Sequence, residues 1–168
     1  MREFFIVLAF ISGLNFSFSQ QVTDVFPDGT PISSWFKNDQ KLQLKDLGKQ
    51  YRITDFGAEK DSTIIQTKAI QAIIDLASAN GGGVIVVPKG VFLSGALFFK
   101  PKTALYLVKG AVLKGSDNII DYPIMDSRME GQNLDYFPAL VNAYEVDHFS
   151  ISGEGTINGN GKKFWEAF

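Results

Sequence analysis

The sequence has no cysteine and a single histidine, His148. The absence of cysteine excludes disulfide frameworks, thiolate zinc sites and cysteine nucleophiles together. The formal net charge is only -2 and the charged residues are scattered, so there is no basic stripe that could bind nucleic acid. Any chemistry must use carboxylates, hydroxyls, Lys or Arg, and the residue pattern indicates neither a metal site nor a cofactor.

The amino-terminal segment has the pattern of a secretion signal. Arg2 precedes an apolar run at residues 4–11, and Ser17 and Ser19 provide small residues two apart before the expected cleavage point. A membrane-spanning helix needs about 20 apolar residues, and polar residues interrupt this run early. Residues 1–19 are therefore predicted to be a signal peptide. We expect a secreted or periplasmic protein with no membrane attachment after cleavage.

Residues 20–50 are polar and show little periodicity, which predicts an extended lead-in before a folded domain at residues 51–168. Residues 51–57 alternate large and polar side chains before a glycine, which predicts a half-buried strand that opens the domain. One clear helix follows at residues 63–79, with an aliphatic stripe at i, i+3, i+4 and i+7. The stripe consists of Ile70, Ile73, Ile74 and Ala77. We expect Asp61, Ser62 or Thr63 to cap its first turn and the glycines at 81–83 to end it.

The remaining sequence repeats one pattern of a short apolar strand, a glycine corner and a second short strand. It occurs at residues 84–95 and again at 105–115, an offset of about 21 residues, with a looser copy at 149–159. One such coil cannot bury its apolar side alone, so the coils must stack and pair in parallel. This predicts a parallel β-helix whose first coil is covered by the helix. Three aliphatic side chains should stack in interior columns: Val86, Leu107 and Ile151.

A polar and aromatic insertion separates the second and third copies, at residues 116–138. In stacked-coil proteins such insertions project as loops, often on the binding face. The insertion is therefore the expected location of a binding site.

Several segments together resemble the opening of bacterial family 28 glycoside hydrolases, the polygalacturonases. They are residues 53–58, 81–90, 95–101, 105–107, 110–116, 138–143 and 151–161, in the order that the family has them. The resemblance covers essentially everything after residue 50. It implies an all-β, right-handed parallel β-helix with an N-terminal capping α-helix, of which this chain supplies only the first coils.

The resemblance also implies a secreted enzyme that hydrolyses α-galacturonosidic bonds of pectic polysaccharides with inversion, using aspartates as acid and base. The family places these groups in Asn-Thr-Asp, Asp-Asp, Gly-His-Gly and Arg-Ile-Lys segments, and none of the four occurs in this sequence. We therefore expect the catalytic residues beyond residue 168. The chain should be inactive as a fragment, and the full-length protein should be a monomer.

Arg128 and Glu130 are the candidate substrate-binding residues. Galacturonate units carry carboxylates that match the planar guanidinium of Arg128, and Glu130 can accept hydrogen bonds from sugar hydroxyls. The alternative is that both serve a surface ion pair or fix the loop. Tyr136 and Phe137 could stack on sugars but are expected to pack the loop, and His148 is expected to be structural.

Two other functions stay open from the sequence. One is a calcium-dependent pectate lyase-like β-helix, in which Lys or Arg replaces the aspartates. The other is a non-catalytic β-helix that binds carbohydrate. Endo or exo action and the particular pectic backbone are also open.

Overall fold

The computed structural model of the chain describes residues 24–38 and 41–166. These ranges are the described parts of two compact units. The predicted signal peptide at residues 1–19 lies outside the described residues. Within the described ranges, no helix is long and apolar enough to cross a membrane.

The smaller unit is a short folded segment. Val25 bridges Pro31 in antiparallel fashion. The turn between them is held by Asp28, whose carboxylate accepts hydrogen bonds from the Thr30 amide at 3.0 Å and hydroxyl at 2.7 Å. Both hydrogen bonds lower the pKa of Asp28 below its ordinary value, and the bond from the Thr30 hydroxyl has the larger effect.

The larger unit is built mainly from short strands. In chain order its strands and helices are β1 (Gln50–Arg52), α1 (Thr67–Ala79), β2 (Gly83–Val87), β3 (Gly90–Ser94), β4 (Leu97–Phe98), β5 (Thr103–Leu107), β6 (Ala111–Gly115), β7 (Met125–Met129), β8 (Gln132–Tyr136), β9 (Val141–Asn142), β10 (Ser150–Gly153), β11 (Thr156–Asn158) and α2 (Lys162–Glu166). Its short 3-10 helices lie at Leu44–Asp46, Ile53–Phe56 and Ile119–Asp121, and the smaller unit has one at Ser34–Lys37.

The strands of successive coils form three parallel sheets. The first sheet has the order β1-β2-β5-β10, the second β11-β6-β3 and the third β4-β9. Each coil contributes one strand to a sheet and then turns to the next, so hydrogen bonds run between coils rather than within one. This arrangement confirms the predicted parallel β-helix.

The strand register differs from the predicted one by a residue. Val86 pairs with Tyr106, whereas Leu107 pairs with Val87. Side chains alternate between the faces of a strand, so this difference moves Val86 out of the interior column. The interior column is instead formed by Tyr51, Ile85, Leu105 and Ile151.

The cause of the register error is the corner between the first two sheets. The offset between coils is 20 residues for the pair Ile85 and Leu105, and 21 for the pair Phe92 and Leu113. The second coil therefore has one more corner residue than the first. The repeat in the sequence does not show whether the extra residue lies in the strand or in the corner.

The outer face of the first sheet is also apolar, and the lead-in covers part of it. Val84, Val86 and Ala104 form a second buried cluster, separate from the interior core. Leu44 and Leu47 pack against this cluster. This explains why every residue of β2 is buried although side chains alternate between its two faces.

Helix α1 buries its predicted stripe of Ile70, Ile73, Ile74 and Ala77 in the interior core. Its C-terminus is a Schellman motif, in which the Gly81 amide donates to the Ser78 carbonyl and the Gly82 amide donates to the Ala77 carbonyl. Gly81 has φ +91°, which confirms the predicted glycine stop.

The predicted N-terminal cap of α1 is wrong. The helix begins at Thr67 and has no side-chain cap. Asp61 instead accepts hydrogen bonds from the Thr63 amide and hydroxyl, which makes a local turn before the helix. Gln66 exchanges two hydrogen bonds with the backbone of Glu59, at 2.6 and 2.7 Å, so its side chain fixes the preceding loop.

Candidate functional site

The insertion after β6 starts with a loop anchored to the coils. The Ser116 hydroxyl donates to the Asp121 carboxylate, and the Tyr122 hydroxyl donates to the Ser116 carbonyl at 3.0 Å. Burial, followed by the charge of Asp121, raises the pKa of Tyr122 above its ordinary value. Gly95 lies directly under the loop, because a Cβ at that position would be 2.1 Å from the Asp121 carbonyl oxygen.

An aromatic cluster fixes the other end of the insertion. Phe137 lies 6.3 Å from Tyr122, 5.5 Å from Phe164 of α2 and 4.2 Å from Tyr136, measured between ring centroids. Asp117 and Lys163 form an ion pair of 2.8 Å beside it. Phe137 therefore packs the insertion against other aromatic rings, as expected from the sequence.

Between these anchors, β7 and β8 form an antiparallel hairpin. The two residues of its turn are Glu130, with φ +50°, and Gly131, with φ +85°. Positive φ at both central residues is the mark of a type I′ turn, whose twist matches that of the flanking strands. Glu130 therefore lies at the tip of the hairpin.

One face of the hairpin carries polar and charged side chains. Arg128 is directly opposite Asn133, and Asp126 is directly opposite Asp135. These four residues share a face because side chains alternate along each strand. Met129 and Gln132 close the two-residue turn as a hydrogen-bonded pair, and the two kinds of pair alternate along the hairpin. The pairs of Arg128 with Asn133 and of Asp126 with Asp135 are therefore non-hydrogen-bonded pairs, whose side chains approach closely.

An open cleft of about 910 Å³ lies along this hairpin. Its lining residues are Asp126, Ser127, Arg128, Asn133, Leu134, Asp135 and Tyr144. It thus includes Arg128, one of the two candidates from the sequence, but not Glu130. The guanidinium of Arg128 has no ion-pair partner within 4.0 Å among the residues that the structure describes.

Tyr144 was not identified from the sequence. It follows β9 and is 57% exposed, and its ring stacks on Phe98 of β4 at 6.5 Å with 26° between the planes. Gln71 of α1 fixes Phe98 by exchanging two 2.8 Å hydrogen bonds with its backbone. No local pattern could have indicated Tyr144, because only the third sheet brings residues 98 and 144 together.

Two further polar residues, Asp121 and His148, lie outside the lining of this cleft. The carboxylate of Asp121 accepts the hydrogen bond from Ser116. His148 is exposed in a turn with φ +59°. Within residues 24–38 and 41–166, no group of three or more His, Cys, Asp or Glu side chains could hold a metal ion.

No family model matches the chain. The chain is 34% identical over 160 residues to an exo-poly-α-D-galacturonosidase from Dickeya chrysanthemi. The matched region covers 90% of this chain and 26% of the relative. The chain is 30% identical to the structure of a hyperthermoactive exopolygalacturonase from Thermotoga maritima, with a TM-score of 0.62 over 71% of this chain and 26% of the other.

A family 28 exopolygalacturonase structure from Yersinia enterocolitica is 34% identical, with a TM-score of 0.58, and covers 67% of this chain and 21% of the other. The chain therefore spans about a quarter of the length of the relatives that it matches.

Proposed function

Because the chain belongs to the polygalacturonases, family 28 of the glycoside hydrolases, along the length that it shares with them, we propose that it forms part of a pectin-degrading hydrolase. The proposed reaction is hydrolysis of α-galacturonosidic bonds with inversion. The observation that carries this proposal is the identity of 34% over 160 residues, which runs through the same coils that the structure stacks.

The proposed role of the 168-residue chain is to bind substrate rather than to cleave it. An inverting hydrolase needs one carboxylic acid at the leaving oxygen and a second carboxylate that activates water on the opposite side. The four catalytic segments expected from the family do not occur in the 168 residues. Cleavage would therefore depend on residues outside this sequence.

Arg128 and Glu130 are proposed to contact the pectic chain. Arg128 is exposed on a strand and has no competing carboxylate partner within 4.0 Å among the described residues. Glu130 is exposed at the tip of the hairpin, where its carboxylate is available to sugar hydroxyls. The type I′ turn supports these roles because it projects both side chains on a regular hairpin.

Secretion is part of the same proposal. The pattern at residues 1–19 supports export, and the substrate is an extracellular polymer. We propose a secreted or periplasmic protein that acts as a monomer and has no membrane attachment after the signal is removed.

The test is an assay of the protein made from its complete reading frame on polygalacturonate, with the 168-residue chain in parallel. We expect new reducing ends from the complete protein, in the presence or absence of a chelator, and none from the 168-residue chain. An unsaturated product that absorbs in the ultraviolet and requires calcium would instead indicate a lyase. Binding without any cleavage by the complete protein would indicate a carbohydrate-binding module.

A further inference from the structure

We propose that the cleft between the β7–β8 hairpin and Tyr144 is a subsite for one uronate unit, in which Arg128 binds the sugar carboxylate and Tyr144 packs against the sugar ring. This inference rests on the proposed function, and it extends that function from a polymer class to the recognition of a single sugar.

The carboxylate is recognised by Arg128. A guanidinium offers donors in a planar fork that matches a carboxylate in two parallel hydrogen bonds. Arg128 lines the cleft and forms no ion pair within 4.0 Å among the described residues, so a ligand need not displace a protein carboxylate. Asn133, directly opposite, adds an amide that can donate to the same ligand.

The sugar ring is recognised by Tyr144. An exposed aromatic face attracts the C–H edges of a pyranose because the face of the ring carries partial negative charge. Tyr144 is 57% exposed, and its ring is supported by Phe98, which Gln71 fixes through two hydrogen bonds. This support lowers the entropy lost when a sugar packs on the ring.

Asp126 and Asp135 limit the site to one carboxylate. They face each other across the hairpin, and like charges in that position destabilise a pair of strands. Their oxygens can accept hydrogen bonds from sugar hydroxyls, whereas a second ligand carboxylate near them would be repelled. A carboxylate in contact with Arg128 is still attracted, because Coulomb energy falls with distance and water screens the more distant charges.

The test compares the affinities of two ligands for the complete protein, measured by calorimetry: D-galacturonate, which has no glycosidic bond to hydrolyse, and its uncharged methyl ester. The ratio of the two affinities reports carboxylate recognition. We expect R128Q to lower this ratio about tenfold, the usual loss of a charge-assisted hydrogen bond. R128K should lower it less, because Lys keeps the charge but lacks the fork. R52Q, which changes an exposed arginine on β1, is the matched control and should leave the ratio unchanged.

Three further variants separate recognition of the sugar ring from recognition of the charge. Y144A should weaken both ligands by the same factor, and Y144F should bind both as the wild type does. D135N should tighten the binding of D-galacturonate only, by about two- to threefold, since it removes one repulsive charge. Thermal unfolding of each variant identifies any that have lost the fold.

An unchanged affinity ratio in a folded R128Q protein would overturn the subsite, and so would an unaffected Y144A protein. Neither result bears on hydrolysis. Conversely, if the complete protein releases no reducing ends, the proposed hydrolase function fails, while the affinity ratio still decides whether the cleft binds a uronate.

Discussion

Leu105 and Ile151 are register partners on neighbouring parallel strands, yet Leu105 is 1% exposed and Ile151 is 48% exposed. The same change occurs in the second sheet, where Leu113 is 0% exposed and its partner Ile157 is 40% exposed. Among the described residues, no further coil covers the third one. The core therefore ends in an open apolar edge, which is a place where strands of other molecules can add.

The first prediction concerns this edge. Replacing Ile151 with Asp should reduce self-association of the 168-residue chain, because a charge on an open strand edge opposes pairing with other molecules. Size-exclusion chromatography with light scattering would measure the monomer fraction. Ile120 is 84% exposed and away from the edge strands, so I120D controls for the general effect of an added carboxylate. An equal gain from I120D would contradict the explanation.

The second prediction concerns how the insertion is anchored. G95A should destabilise the protein by about 1–3 kcal/mol, because the new Cβ would overlap the Asp121 carbonyl and push the loop away. Chemical denaturation would give the change in free energy of unfolding, and limited proteolysis would show whether residues 116–138 become accessible. G159A is the matched control, since a Cβ at that position meets nothing within 4 Å. Equal effects of the two variants would rule out the overlap as the cause.

The third prediction separates the two roles open to Glu130. Its φ of +50° is strained for a glutamate and suits asparagine better, so E130N should stabilise the hairpin. G131A should do the opposite, by about 1 kcal/mol. Hydrogen exchange of the β7 and β8 amides would measure both. If Glu130 also contacts substrate, E130N will weaken binding of oligogalacturonate while it stabilises the hairpin; unchanged binding would leave Glu130 with a turn role alone.

The fourth prediction concerns pH. The hydrogen bond from Lys163 is the main reason that the pKa of Asp117 lies below its ordinary value of 3.8. Since the folded state has the lower pKa, the stabilisation is present above pH 3.8 and is lost as the pH falls through the folded value. D117N should therefore lower the melting temperature slightly near neutral pH and not at about pH 2.

The control for this prediction is D147N, because Asp147 is exposed and forms no ion pair among the described residues. Thermal unfolding at the two pH values is the measurement. A loss of melting temperature in D117N that is the same at both pH values would contradict the assignment to the charge of Asp117.

Features that depend on short-range patterns were predictable. The stripe from Ile70 to Ala77 requires only the period of an α-helix, and Gly81 ends the helix through its left-handed conformation. The N-terminal cap failed because several residues near Asp61 can cap equally well. The structure uses Asp61 for a turn and Gln66 for a loop, both through local hydrogen bonds. The backbone amide of Gln66 also donates to the Leu93 carbonyl of β3, a tertiary contact that no local pattern shows.

The site was predictable only in part. Arg128 could be selected because it is a charged residue in an insertion between repeated coils, and the cleft includes it. The same pattern selects Glu130, yet the hairpin places it at the turn. The contributions of Tyr144 and of the pair Asp126 and Asp135 depend on strand pairing that no local pattern shows.

The sequence by itself determined that apolar strands recur with glycine corners and must stack, because a single coil cannot bury its apolar face. Tertiary structure decided which face of each strand points inward. The second coil has one extra corner residue, so Val86 pairs with Tyr106 instead of Leu107, and Val86 lies on the outer face, where Leu44 and Leu47 pack against its cluster. The reason is geometric: strand side chains alternate, so the composition of a strand stays the same while its register decides what each residue contacts.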